Sequence, residues 1–331
     1  MAKRFALMLV LAGMVLCVSS CGNKQTQSQA PTIPIAPAGE LAHVAFVTNN
    51  VSDFWKIAEA GVRQAEKDFN AKCDVRMPTQ GTAAEQKEIL QDLMVKGVSG
   101  IAISPVSPDS QTDVLNQAAA KVNLICHDSD APKSKRMLYV GTSNYDAGKV
   151  AGEQLKKALP NGGSVMVYVG TLDAQNAAQR NAGLNGAIKG SKVKMLGVMT
   201  DNADHTKARA NVEDTLVKHP DIAALVGLWS YNGPAIVNAV KAANKVGKVT
   251  IVCFDEDEVT LQGIKDGAIY ATVVQKPYEF GYQAVKVLAA MQRKEKVEIP
   301  KDKIIDTGVD VINKDNVDEF WTKLKKMTGK G

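Results

Sequence analysis

Short, almost wholly apolar runs alternate with amphipathic stretches along most of this 331-residue chain. The run HVAFVTNN (43–50) predicts a strand. DFWKIAEAGVRQAEKDF (53–69) follows, with Ile57, Ala58, Gly61, Val62, Ala65 and Phe69 at helical spacing. GIAISPVS (100–107) predicts the next strand, a helix spans 109–122, and NLICHDSD (123–130) and MLYVGTS (137–143) predict two more strands. A second series begins near residue 145: helix 145–159, strand SVMVYVG, helix 174–188, strand KMLGVMT, helix 206–219, strand AALVGLW, helix 233–246, strand VTIVCFD, helix 258–266, and AIYATVVQ. Strands this uniformly apolar are buried on both faces, as in parallel sheets covered by helices. The expected class is α/β, with two similar doubly wound parallel-sheet lobes. The body from residue 41 onward, about 290 residues, is also near the size at which a single core stops growing.

The start of the chain has a different pattern. Lys3 and Arg4 precede an apolar stretch over 5–18, too short for a comfortable bilayer span and fitting the core of a secretory signal. The following VSSC resembles a bacterial lipobox, so residues 1–20 are expected to be a lipoprotein signal peptide and Cys21 to be acylated. Residues 21–40, rich in Gln, Ser, Thr and Pro without apolar periodicity, cannot bury enough surface to offset their ordering entropy, and they read as a tether. The expected location is lipid-anchored in the periplasm or cell envelope, with membrane contact through the anchor only.

Charge narrows the partners. The chain carries 40 basic and 35 acidic residues, and cleavage before Cys21 removes Lys3 and Arg4 but no acid, leaving +3. So small an excess, with no basic cluster interleaved with aromatics, argues against nucleic acid. Cys126 and Cys253 sit in apolar runs and read as buried thiols, and no cysteine spacing resembles a zinc site. No pattern assembles a nucleophile, a base and an oxyanion site, so no enzyme, cofactor or metal is expected.

In open parallel sheets, ligands bind beyond the carboxyl ends of the strands. The residues just after each apolar run are therefore the candidates: Asn49 and Asn50, then Phe54 and Trp55; Ser104; His127, Asp128, Ser129 and Asp130; Asn176 and Arg180; Trp229, Tyr231 and Asn232; Asp255 and Glu256; and Gln275. Any one carboxylate could instead cap the next helix, and Phe54 and Trp55 could be a hydrophobic staple. As a set, acids, amides, one guanidinium and aromatic rings suit a neutral polyhydroxylated ring.

Beyond this reading, the chain resembles the periplasmic sugar-binding proteins of the ribose-binding type, receptor subunits of bacterial ABC importers. The likeness spans about 41–328 and rests on GIAISPVSPDS, DSDAP, YVGTSNYDAGKVAGE, AAQRNAG, HPDIAALVGLWSYNGPAIVNAV, IVCFDED, LQGIKDGAIYATVVQKPYEFGYQAV and IIDTGVDVINKDNVDEF. YNGPA, IVCFD and IDTGVDV are similar to glucose- and xylose-binding members of thermophilic bacteria. The resemblance implies an N-terminal lobe over 41–143 plus 276–306, a C-terminal lobe over 144–275 plus 307–331, and crossovers near 142–144, 274–276 and 305–308. It implies a monosaccharide between the lobes. Phe54 and Trp55 would stack on it, Asp128 would accept from its hydroxyls, and Arg180, Asn232, Asp255 and Gln275 would supply polar contacts. Ser104 and Ser129 stand where the ribose pattern has Asn and Arg, which speaks against ribose itself. Ser104, Asn176, Trp229 and Tyr231 complete the expected ligand-binding set. The partners implied are an ABC permease with its ATPase, and the receptor is expected to be a monomer. SPVSPD and DSDAPKSKR also resemble quorum-signal receptors, so the alternative output is signalling through a chemoreceptor or sensor kinase.

Overall fold

The computed structural model describes residues 39–329 apart from Asp173. The expected signal peptide, Cys21 and the expected tether up to residue 38 lie outside the described residues.

The chain alternates strand and helix throughout. The first run is β1 (Ala42–Val47), α1 (Asp53–Asp68), β2 (Ala71–Arg76), α2 (Ala83–Val95), β3 (Gly100–Ile103), α3 (Thr112–Ala119), β4 (Asn123–His127) and β5 (Tyr139–Gly141). The second is α4 (Asn144–Ala158), β6 (Gly163–Val169), α5 (Gln175–Ile188), β7 (Val193–Thr200), α6 (His205–Lys218), β8 (Ala224–Gly227), α7 (Asn232–Ala242), β9 (Thr250–Phe254), α8 (Glu258–Lys265) and β10 (Ala271–Val274). After these come α9 (Pro277–Gln292), β11 (Ile304–Asp306), β12 (Asp310–Asn313) and α10 (Val317–Met327).

Two six-stranded sheets result, in the orders β11-β5-β4-β3-β1-β2 and β12-β10-β9-β8-β6-β7. The pairings are parallel except β10–β12. β3, β8 and β10 are buried at every position, as their unbroken apolar runs require. The α/β class with two similar parallel-sheet lobes is the architecture observed.

Several elements lie where the apolar pattern gave no signal. The edge strand β2 buries Ala71 and Cys73, exposes Lys72 and leaves Asp74 half-buried, so its pattern is mixed. α2 buries just Gln86, Leu90 and Leu93, and a buried glutamine reads as surface in a sequence. Gln86 Nε2 donates to Thr48 O and Ser104 O, both at 2.8 Å, and so ties the tips of β1 and β3 together. α9 fails for the opposite reason: eleven of its sixteen residues are buried, which erases the one-sided stripe.

The chain passes between the sheets three times: after β5, after β10 and after β11. Asp306 joins two of these passages, since its Oδ1 accepts from Ser143 N and from Gly308 N, each at 2.9 Å.

Each lobe holds one site-bearing helix by glycine-mediated contact. A Cβ on Gly61 of α1 would collide with the Tyr278 carbonyl of α9. A Cβ on Gly148 of α4 would collide with the Arg180 carbonyl of α5. Both helix pairs can approach this closely only because no side chain stands between them. The lobes also touch each other: Ile57 of α1 is buried among apolar residues of the second lobe, including Leu324 of α10 and Val274 of β10.

Candidate functional site

A cleft of about 740 Å³ lies at the carboxyl ends of both sheets. Asn49, Phe54, Trp55 and Asp128 line it from the first lobe. Asn176, Arg180, Trp229, Tyr231 and Asp255 line it from the second, and Gln275 from the crossover after β10. Ser104 and Asn232, expected at the site, are fully buried behind the wall instead.

The two lobes build their carboxylates in the same way. β4 and β9 hold corresponding places in their sheets and lead into the aspartates through Cys126-His127-Asp128 and Cys253-Phe254-Asp255. Both aspartates are in the left-handed region, with φ of 56° and 64°, a conformation that Asp tolerates better than most residues. A hydroxyl on the neighbouring strand fixes each turn: Tyr139 Oη donates to Asp128 O at 2.8 Å, and Thr272 Oγ1 to Asp255 O at 2.7 Å. Neither aspartate caps a helix. Asp257 does so for α8, accepting from Val259 N at 2.8 Å, which leaves Asp255 free to line the cleft.

Around Asp128 the polar groups form a chain. Ser104 Oγ donates to Asp128 Oδ2 at 2.7 Å, and Asn49 Nδ2 donates to the same oxygen at 3.3 Å. Asn49 Oδ1 in turn accepts from Trp55 Nε1 at 3.0 Å. Asn49, a strand-tip candidate by its place after β1, is thus a residue that the expected ligand-binding set lacks. Ser104 acts through Asp128 rather than on the cleft. Trp55 is only 2% exposed, with edge contacts to Phe46, Phe54 and His127, so most of its ring serves the core. His127 stacks on Phe46 with ring centroids 4.0 Å apart, and its Nε2 lies 3.1 Å from Val47 O. Burial pushes its pKa down to about 3, so it is a neutral core residue.

The second lobe places a guanidinium beside its carboxylate. Arg180 is 2% exposed, donates from Nε to Asn144 Oδ1 at 2.9 Å and from Nη1 to Leu228 O at 2.8 Å, and lies 4.5 Å over the Phe254 ring. Its Nη1 is 3.9 Å from Asp255 Oδ2, while Gln275 Nε2 donates to Asp255 Oδ1 at 2.9 Å. Trp229 Nε1 donates to Asn176 Oδ1 at 3.3 Å, and the ring occupies the space where Gly170 has no side chain. Asn232 holds this tip from behind: its Oδ1 accepts from Trp229 N at 3.0 Å, and its Nδ2 lies 3.4 Å from Asp201. Tyr231 donates to Asp201 and stacks on His205 at 4.7 Å.

The carboxyls outnumber the guanidinium. Burial pushes the Asp128 pKa up to about 6, and Asp255 adds to the rise while Ser104 and Arg180 oppose it. Asp255 is also raised, by burial, against the pull of Arg180 and Gln275. Glu256 is raised well above the usual carboxylate range, by burial first and then by Asp255. Such a site rejects anions and offers acceptors to hydroxyl or amine donors. Cys73, Cys126 and Cys253 are free, buried thiols, and burial raises the pKa of each, that of Cys126 to about 12. They are poor nucleophiles. Among the described residues no group of three or more His, Cys, Asp or Glu is arranged to hold a metal ion, and no helix is long and apolar enough to cross a membrane.

Residues 44–296 match the family described as the periplasmic binding protein domain. The chain is similar to the ribose import binding protein RbsB of Salmonella typhimurium, 27% identical over 267 residues that cover 80% of this chain and 88% of that one. Among solved structures it is similar to an ABC transporter solute-binding protein from Burkholderia graminis in complex with D-arabinose, at 32% identity and a TM-score of 0.77, covering 83% of this chain and 96% of that one. It is also similar to GanP, a glucose-galactose binding protein from Geobacillus stearothermophilus, at 28% identity and a TM-score of 0.77, covering 84% and 99%.

Proposed function

The chain belongs to the periplasmic binding protein family, and from that premise we propose that it is the solute receptor of an ABC importer. It holds one neutral monosaccharide, an aldohexose or aldopentose such as glucose or xylose, between its lobes and presents it to the membrane permease. The observation that carries this reading is the matched pair Asp128 and Asp255, each set by a left-handed turn at the same place in its sheet and both facing one cleft with Arg180 and Gln275. Carboxylates accept from hydroxyls and the guanidinium donates to them, so the cleft meets a polyol with both kinds of partner. Phe54 and Trp229, which are partly exposed on the cleft, offer aromatic surface to the apolar faces of a pyranose.

The named sugars in similar proteins, ribose, arabinose and glucose-galactose, support the class without choosing a member. On this reading the protein does no chemistry on its ligand. The lobes exchange chain near 142–144, 274–276 and 305–308, and the ligand favours closure by the contacts it makes only when both lobes engage it. Acylated Cys21 and the tether keep the receptor near the permease at raised effective concentration.

A thermal-shift screen tests the proposal, because a ligand of the folded state raises stability by RT ln(1 + [L]/Kd). At least one aldopentose or aldohexose is expected to raise Tm, with no response to sugar phosphates. A response only to amino acids or phosphorylated sugars would overturn it.

A further inference from the structure

Glu256 directly follows Asp255 and lines the same cleft. Its Oε2 is closed off from solvent and has no hydrogen-bond partner among the described residues. Among the described residues, it is the only buried side-chain oxygen or nitrogen in that state on a residue lining the cleft. The neighbouring carboxyls are provided for. Asp128 Oδ2 accepts from Ser104 and Asn49, and Asp255 accepts from Gln275 with Arg180 beside it. No such donor reaches Glu256 Oε2, and the groups nearest to it in charge, Asp255 and Asp257, repel a carboxylate there. Asp128, Glu258, Arg180 and Lys325 are the other charged groups on the cleft wall. The last torsion of a glutamate side chain is soft, so the carboxyl can turn its unpaired oxygen towards the cleft at small cost.

We propose that Glu256 is a ligand contact that determines specificity: its unpaired oxygen accepts one hydroxyl of the bound sugar, distinct from those that Asp128 and Asp255 take. This inference rests on the sugar-binding reading and adds a requirement to it. The ligand must carry a hydroxyl donor at one defined ring position, and an epimer or deoxy sugar lacking it there is rejected.

Calorimetric titration of the wild-type protein, Glu256→Ala and Glu256→Gln against the best-binding aldose and its monodeoxy analogues tests this. Glu256→Ala is expected to bind the parent sugar about threefold to tenfold more weakly, as for loss of one uncharged hydrogen bond. One monodeoxy analogue should bind the wild type more weakly by a similar factor, while Glu256→Ala should bind that analogue and the parent alike. Such coupling marks direct contact between the residue and that hydroxyl. Equal losses for every analogue, or no loss, would overturn the inference while leaving the sugar reading in place. Glu256→Gln keeps the shape of the side chain and serves if the alanine variant does not fold: it should weaken the same hydroxyl selectively, and an unselective change would overturn the inference. A wild type that binds no sugar at all would overturn the sugar reading and this inference with it.

Discussion

Asp128 shows how much a side chain's neighbours decide what it does. Its position after β4 marked it as a hydroxyl acceptor, but not that Ser104, Asn49 and Trp55 stand in line behind it. A sequence gives the residue at a strand tip and is silent on which of two adjacent polar groups faces the cleft and which backs it. Ser104 and Asn232 are the second kind, and Trp55, expected as an open platform, is mostly core. The raised Asp128 pKa has a sign that can be tested. In the free protein the folded state keeps a proton that the unfolded chain releases between the ordinary Asp range and about pH 6, so this group's contribution to stability falls as pH rises through that window. A sugar hydroxyl donating to the ionised carboxylate reverses the preference. Affinity is therefore expected to hold between pH 8 and 7 and to fall below about pH 6, by up to about tenfold per pH unit. Calorimetric titrations across that range check it, and affinity that rises on acidification would show that Asp128 meets the ligand as a neutral acid.

The helices that carry the site residues owe their placement to close contacts rather than to large apolar faces. α4 and α5 approach closely because Gly148 and Gly183 lack side chains: a Cβ on either would meet backbone of the other helix, the Arg180 carbonyl in one case and that of Tyr145 in the other. Gly148→Ala is expected to cost about 1–3 kcal/mol by overpacking and to lower sugar affinity by shifting Arg180. Urea denaturation and titration of the variant would show both effects, and an unchanged midpoint would mean that the helices part without cost. Strands and helices with clean apolar patterns were legible, including those of both sheet centres. α9 was not, because burial on nearly every side removes its period. β11 and β12 were not, because three or four residues carry too little pattern to read. Their role is nevertheless large, since each closes one edge of a sheet and the link between them is one of the three crossings.

Two lobes with corresponding sheets, in which β4 and β9 each lead through Cys-X into an aspartate, make the cleft a shared product of both halves. Neither lobe alone encloses a ligand: Asp128 comes from one, and Arg180 and Asp255 from the other. The fold class could be read from alternation alone, and the cleft from the rule that ligands bind beyond strand ends. The unpaired Glu256 oxygen could not, because it is defined by what does not reach it in space. Titration calorimetry of the wild type, Arg180→Ala and Asp255→Ala against an aldose found by screening tests the proposed receptor most directly. One sugar per chain should bind the wild type, and each variant should bind about one to two orders of magnitude more weakly while remaining folded, as expected for lost charge-assisted hydrogen bonds. Sugar binding that both substitutions leave unchanged would place the ligand elsewhere and contradict a site between the lobes.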